Sequence, residues 1–128
     1  MSTRWIPAAA RVLLGLTFTV FGLNGFLHFI PMQPLPQPAM NFFGALAATG
    51  YMIRLIFFSQ IIGGLFVLTG IAAPLGVVIL APIIVNIFFF HLFLAPSGLA
   101  IALAIVALEV FLAWRYQDAF APLFTSRT

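Results

Sequence analysis

The sequence predicts an all-α protein, a four-transmembrane-helix bundle with a short interfacial helix between helices 1 and 2. Three observations carry that reading. The 128 residues are 64% hydrophobic and only 5% charged, whereas a soluble domain carries about 25% charged residues. Apolar runs of about 20 residues, the length that crosses a hydrocarbon core, recur four times. Proline- and glycine-containing breaks separate them. With five basic and two acidic residues and a mean hydropathy of +1.23, the chain has too few charges to build the water-facing surface of a soluble fold.

The elements follow in order. The first apolar run covers residues about 8–30 and stops at the proline-rich segment 31–38, because proline lacks an N–H and clashes with the preceding turn. Residues 39–50 are too few to span and read as a helix lying at the interface. The second span covers about 51–72 and closes at Ala73, Pro74, Leu75 and Gly76. The third covers about 77–94 and closes at Pro96, Ser97 and Gly98. The fourth covers about 99–114, and residues 116–128 read as a polar tail. Residues 1–128 form one membrane domain. The basic start and the apolar run after it lack a small-residue cleavage motif, so this run reads as a retained helix rather than a signal peptide.

Charge placement predicts orientation. Arg4 and Arg11 precede the first span, and Arg115 and Arg127 follow the fourth. An even number of spans puts both ends on one side, and the positive-inside rule makes that side the cytoplasm of a multi-pass inner-membrane protein. Trp5 and Trp114 fit interfacial anchors. The net charge of +3 comes with no basic stripe, which excludes nucleic acid as a partner. The absence of cysteine excludes disulfides, thiol redox chemistry and thiolate metal sites within the chain. Gly15 with Gly22, Gly63 with Gly70, and Ala100 with Ala104 and Ala107 are candidate helix-contact faces, since small residues let helices approach closely in lipid.

Function has to reside among the few polar groups at membrane depth, where they are costly and face the bundle interior or a cavity. These are Asn24, His28, Arg54, Gln60, Asn86, His91 and Glu109. At about 1.5 Å of rise per residue, His28 and His91 lie about one turn from the outer ends of the first and third spans, and Arg54 about one turn into the second. Asn24 is one turn below His28 on the same face. Three readings of this layer compete. His28 and His91 could ligate a single bis-histidine haem with Arg54 on a propionate. The layer could bind a quinone, with His28, His91 and Arg54 bonding its oxygens, Asn24 and Asn86 orienting the histidines, and phenylalanines such as Phe57, Phe88, Phe89 and Phe90 forming an apolar wall. Or the groups are structural ties. Glu109, the one acid within a span, either pairs with Arg11 or Arg115 or carries a proton. No zinc motif, phosphate-binding glycine loop or serine triad is present.

Several stretches resemble one family. They are Arg11 to Phe18 followed by Phe21-Gly22-Leu23-Asn24-Gly25-Phe26, then Ala47-Ala48-Thr49-Gly50-Tyr51, then Gly64 to Gly70, and above all Pro74-Leu75-Gly76 leading to Leu80-Ala81-Pro82 and on to Asn86 and His91. Their order and spacing resemble the DoxX family of small four-helix membrane proteins over nearly the whole chain. The resemblance implies a four-helix fold and a small subunit associated with a membrane oxidoreductase, with Asn86 and His91 the first positions to carry over. Lacking cysteine, a flavin motif or a metal cluster, such a subunit needs a protein partner or a homo-oligomer as well as the lipid bilayer. The alternative is a non-catalytic structural or assembly subunit of a larger membrane complex.

Overall fold

The computed structural model describes residues 4–125. It is all-α among those residues. The helices are α1 (Trp5–Leu27), α2 (Gln37–Ala48), α3 (Met52–Thr69), α4 (Ala73–Phe93) and α5 (Leu99–Arg115), with a 3₁₀ turn at Pro96–Gly98 and short helical turns at Gln117–Phe120 and Ala121–Phe124. Four of them are long and apolar enough to cross a membrane: Trp5–Leu27, Met52–Thr69, Ala73–Phe93 and the unit Pro96–Arg115. The spans pack in a ring, α1 on α3, α3 on α4, α4 on α5 and α5 back on α1. Helix α2 is the short helix between the first two spans and touches α3.

Local chemistry shifts the predicted ends by a few residues. Helix α1 begins and ends three residues earlier than the apolar run. Pro7 is tolerated in a first turn, and the chain leaves the helix at His28, which takes a left-handed backbone (φ 53) while its N–H bonds Asn24 O. Helix α3 stops at Gly70, whose φ of +79 suits a residue without Cβ. Helix α4 starts at Ala73, four residues before the predicted span, because Pro74 lies in its first turn, where a missing N–H costs nothing. The segment after α5 is not a plain polar tail, since Tyr116 and Phe120 of its helical turns pack against the core.

In lipid, hydrophobicity does not drive one helix onto another, and close van der Waals packing must do it. Helices α1 and α3 show how. A Cβ at Gly15 would lie 2.6 Å from Leu68 Cα and 2.8 Å from Gly64 O, and one at Gly64 would lie 2.7 Å from Thr19 N. The two backbones therefore touch, and Thr19 keeps its hydroxyl out of the way by donating to Gly15 O at 2.7 Å. Gly22 against Ile61 and Gly25 against the Phe57 ring continue the contact. Gly63 and Gly76 do the same between α3 and α4, where a Cβ on Gly76 would lie 2.7 Å from Gly63 O. The predicted face of Ala100, Ala104 and Ala107 is exposed instead, and α5 buries Ala102, Glu109 and Leu112. Gly70 is not a packing glycine. It leaves room for the Arg11 guanidinium, which donates to Leu68 O at 3.1 Å and Val67 O at 3.4 Å. A cation thereby caps the negative end of α3.

Candidate functional site

Helix register tests the predicted polar layer. Gly15 meets Leu68, Gly22 meets Ile61 and Gly25 meets Phe57, so the antiparallel pair α1 and α3 brings His28 level with Arg54. His91 lies in the last turn of α4, at the same end of the bundle. The three residues share one end of the bundle, but the groups do not converge. Apart from the backbone bond that ends α1, no hydrogen bond or ring contact links any two of His28, His91, Arg54, Asn24 and Asn86. His28 and Arg54 are exposed.

Two of the five serve their own helix ends. Asn24 Oδ1 accepts the Ile30 N–H at 2.6 Å and holds the chain as it leaves α1. It orients the backbone rather than a histidine ring. The His91 ring sits over Gly98, where a Cβ would collide with it, and its Nδ1 lies 3.2 Å from Ala95 O. Donation by Nδ1–H there leaves Nε2 as the free acceptor. His91 thus pins the turn from α4 to α5. Phe90 beside it packs on Phe42 and Phe43 of α2. Phe57 fills the space over Gly25 rather than walling an outer pocket. For haem the arrangement does not fit: His28 is exposed at the end of α1, the His91 ring is held against Gly98 and Ala95 O, and neither histidine lines either of the cavities described below. Among the described residues, no three of His, Asp and Glu gather to hold a metal ion.

The most unusual polar group is Glu109. It is 8% exposed, and both carboxyl oxygens are buried without a hydrogen-bond partner. Its predicted pairing is corrected by the structure: Arg11 is committed to the end of α3, and the residue lies about 9 Å of helix rise from Arg115. Glu109 lines a cavity of about 290 Å³ between α4 and α5, together with Ala81, Ile84, Val85, Phe88, Phe89, Val106 and Val110. All the other lining residues are apolar. A buried polar group without a partner costs about 1–3 kcal/mol, more if charged, so this carboxyl is a cost to the chain by itself. Sequence reasoning picked out Glu109 but not its cleft. Val85, Phe88 and Phe89 of α4 meet Val106 and Val110 of α5 only because the Pro96–Gly98 turn folds the two helices together.

A second cavity, of about 350 Å³, lies at the other end of the bundle. Arg4, Ile6 and Pro7 line it with Phe111, Trp114 and Arg115, and Trp5 and Trp114 are exposed beside it, as interfacial anchors are. Gln60, also 8% exposed, is the other buried amide or acid of the spans. The chain matches no family model, no curated protein and no solved structure.

Proposed function

We propose that this protein is a small DoxX-like subunit of a membrane oxidoreductase that holds a lipophilic carrier of the quinone class. The observation that carries the proposal is Glu109, a buried and partnerless carboxyl in an apolar cleft at membrane depth. A protonated carboxyl donates to a quinone carbonyl, and an ionised one accepts from a quinol hydroxyl. The flanking Phe88 and Phe89 suit a flat ring, and the apolar lining of the cleft suits a lipophilic one. The carrier site in this proposal is the cleft of α4 and α5 rather than the outer layer of His28, His91 and Arg54 with Asn24 and Asn86 beneath it. In the same proposal the chain lies in the inner membrane with both termini cytoplasmic. The arginines at Arg4, Arg11 and Arg115 support this orientation.

The test uses the full chain in phosphatidylcholine vesicles. Dicyclohexylcarbodiimide, a hydrophobic reagent for carboxyls in lipid, is expected to label Glu109 and not the Glu109→Gln variant. A short-chain ubiquinone analogue is expected to protect against labelling and to appear as a stoichiometric adduct in native mass spectra. Labelling that no quinone slows, with no adduct, overturns the quinone reading. One feature favours a second reading, a structural or assembly subunit: Asn24 and His91 already serve the backbone of their own helix ends. In that case Glu109→Gln leaves the activity of the parent complex unchanged.

A further inference from the structure

Hydroxyl side chains on the outside of this bundle follow one rule. Thr17 donates to Leu13 O at 2.7 Å, Ser59 to Leu55 O at 2.8 Å and Thr69 to Leu65 O at 2.7 Å. Each hydroxyl is satisfied within its own helix, as a lipid-facing group has to be where no water is present. The Asn86 amide is not satisfied in this way. The residue is exposed on α4, about 10 Å of helix rise below Phe93, and its amide makes no hydrogen bond among the described residues. It lies in an outward stripe with Val78, Pro82, Val85, Phe89 and Phe93, all exposed. The intervals 78–85, 82–89 and 86–93 are each seven residues, the spacing that keeps a helix seam facing a parallel partner. Pro82 has no N–H, so the Val78 carbonyl on the same stripe also lacks its helical donor.

We infer that α4 is the interface of a two-fold symmetric homodimer in which the Asn86 side chains of the two copies bond each other. The occupant follows from depth and chemistry. Copies inserted with the same topology are related by a two-fold axis along the bilayer normal, so each residue on the axis meets itself at its own depth. A primary amide is both donor and acceptor and is therefore complementary to an identical amide. An acyl chain offers neither function. The inference does not depend on the quinone reading, but it bears on the same cleft. Val85 and Phe89 belong both to the stripe and to the lining of the Glu109 cavity, so the second copy adds an outer wall to it.

The chain has no cysteine, which makes single-cysteine crosslinking direct. In dilute vesicles, oxidised full-length Val85→Cys and Phe89→Cys are expected to give disulfide-linked dimers. Ile101→Cys, equally outward on α5, should give only the collisional background. The dimer dissociation constant, measured by energy transfer on dilution with lipid, should rise roughly 3- to 30-fold in Asn86→Leu, the range for one interhelical hydrogen bond in lipid. Asn86→Gln should recover most of the loss. Asn86→Leu makes an outward face more apolar and so leaves the monomer folded. The inference is overturned by a monomer at all lipid ratios, by equal crosslinking at Ile101→Cys, or by an Asn86→Leu dimer as tight as the parent.

Discussion

Adding one methyl group at Gly15, buried where α1 meets α3, should cost far more than alanine at a helical glycine with open space around it. The new Cβ would lie 2.6 Å from Leu68 Cα and 2.8 Å from Gly64 O, against an ordinary contact range of 3.4–4 Å. The colliding atoms are backbone, so no rotamer change relieves them. Helices α1 and α3 must move apart by roughly 1 Å, loosening Leu14 and Phe18 from Val67. Overpacking of this kind costs up to about 3 kcal/mol, and alanine returns about 1 kcal/mol of helix propensity. The net loss is about 2 kcal/mol, or about 30-fold in the unfolding equilibrium. Gly44→Ala is the control. It sits in helix α2 with nothing within 4 Å of the added atom, so it should be neutral or up to about 1 kcal/mol stabilising. Unfolding in mixed micelles against the mole fraction of dodecyl sulfate, followed by the helical circular dichroism signal, reads both. Gly15→Ala/Gly64→Ala should lose less than the sum of the single variants, because one separation of the helices relieves both clashes. A Gly15→Ala protein as stable as the parent, or a Gly44→Ala protein equally weakened, would refute the close backbone contact of α1 and α3.

Two further outcomes follow from single residues. Arg11→Met removes the guanidinium from Val67 O and Leu68 O and should cost about 1.5–3 kcal/mol, the range for charge-assisted bonds. In hydrogen exchange, the Gly70 and Ile71 amides should then lose protection before the rest of α3. Glu109→Leu replaces a buried carboxyl that has no partner. It should raise stability in the same unfolding assay by about 1–3 kcal/mol while abolishing carbodiimide labelling, and a loss of stability would mean that the carboxyl is bonded in the folded state.

The number of spans and their approximate limits were legible in the sequence, because membrane insertion depends on length and hydropathy, which are additive along the chain. Helix ends were less legible. Pro74 looks like a stop yet starts α4, since the same missing N–H breaks a helix interior and suits a first turn. The glycines divide in the same way. Gly15 and Gly22 are legible as contact residues, whereas Gly64, which meets the α1 backbone at Thr19, and Gly70, a helix cap, could not be told apart by spacing. That His28, Arg54 and His91 share one end of the bundle was legible, because position along a helix follows from rise per residue. Whether they meet depends on rotation about three helix axes, and that is decided by which glycines touch which backbones.

The sequence by itself determined that this is a four-span membrane protein, with four of its five arginines near the two ends and few polar groups at depth. Those properties are sums over local residues. Only the tertiary structure decided which polar groups have partners. Arg11 finds the carbonyls of α3, and Asn24 and His91 find backbone groups at the ends of their own helices. Among the described residues, Glu109 finds none in its cleft between α4 and α5, and Asn86 finds none on the outside of α4. Hydrogen bonds act over about 3 Å, so a pairing exists only once helices distant in sequence are set at a particular rotation and separation.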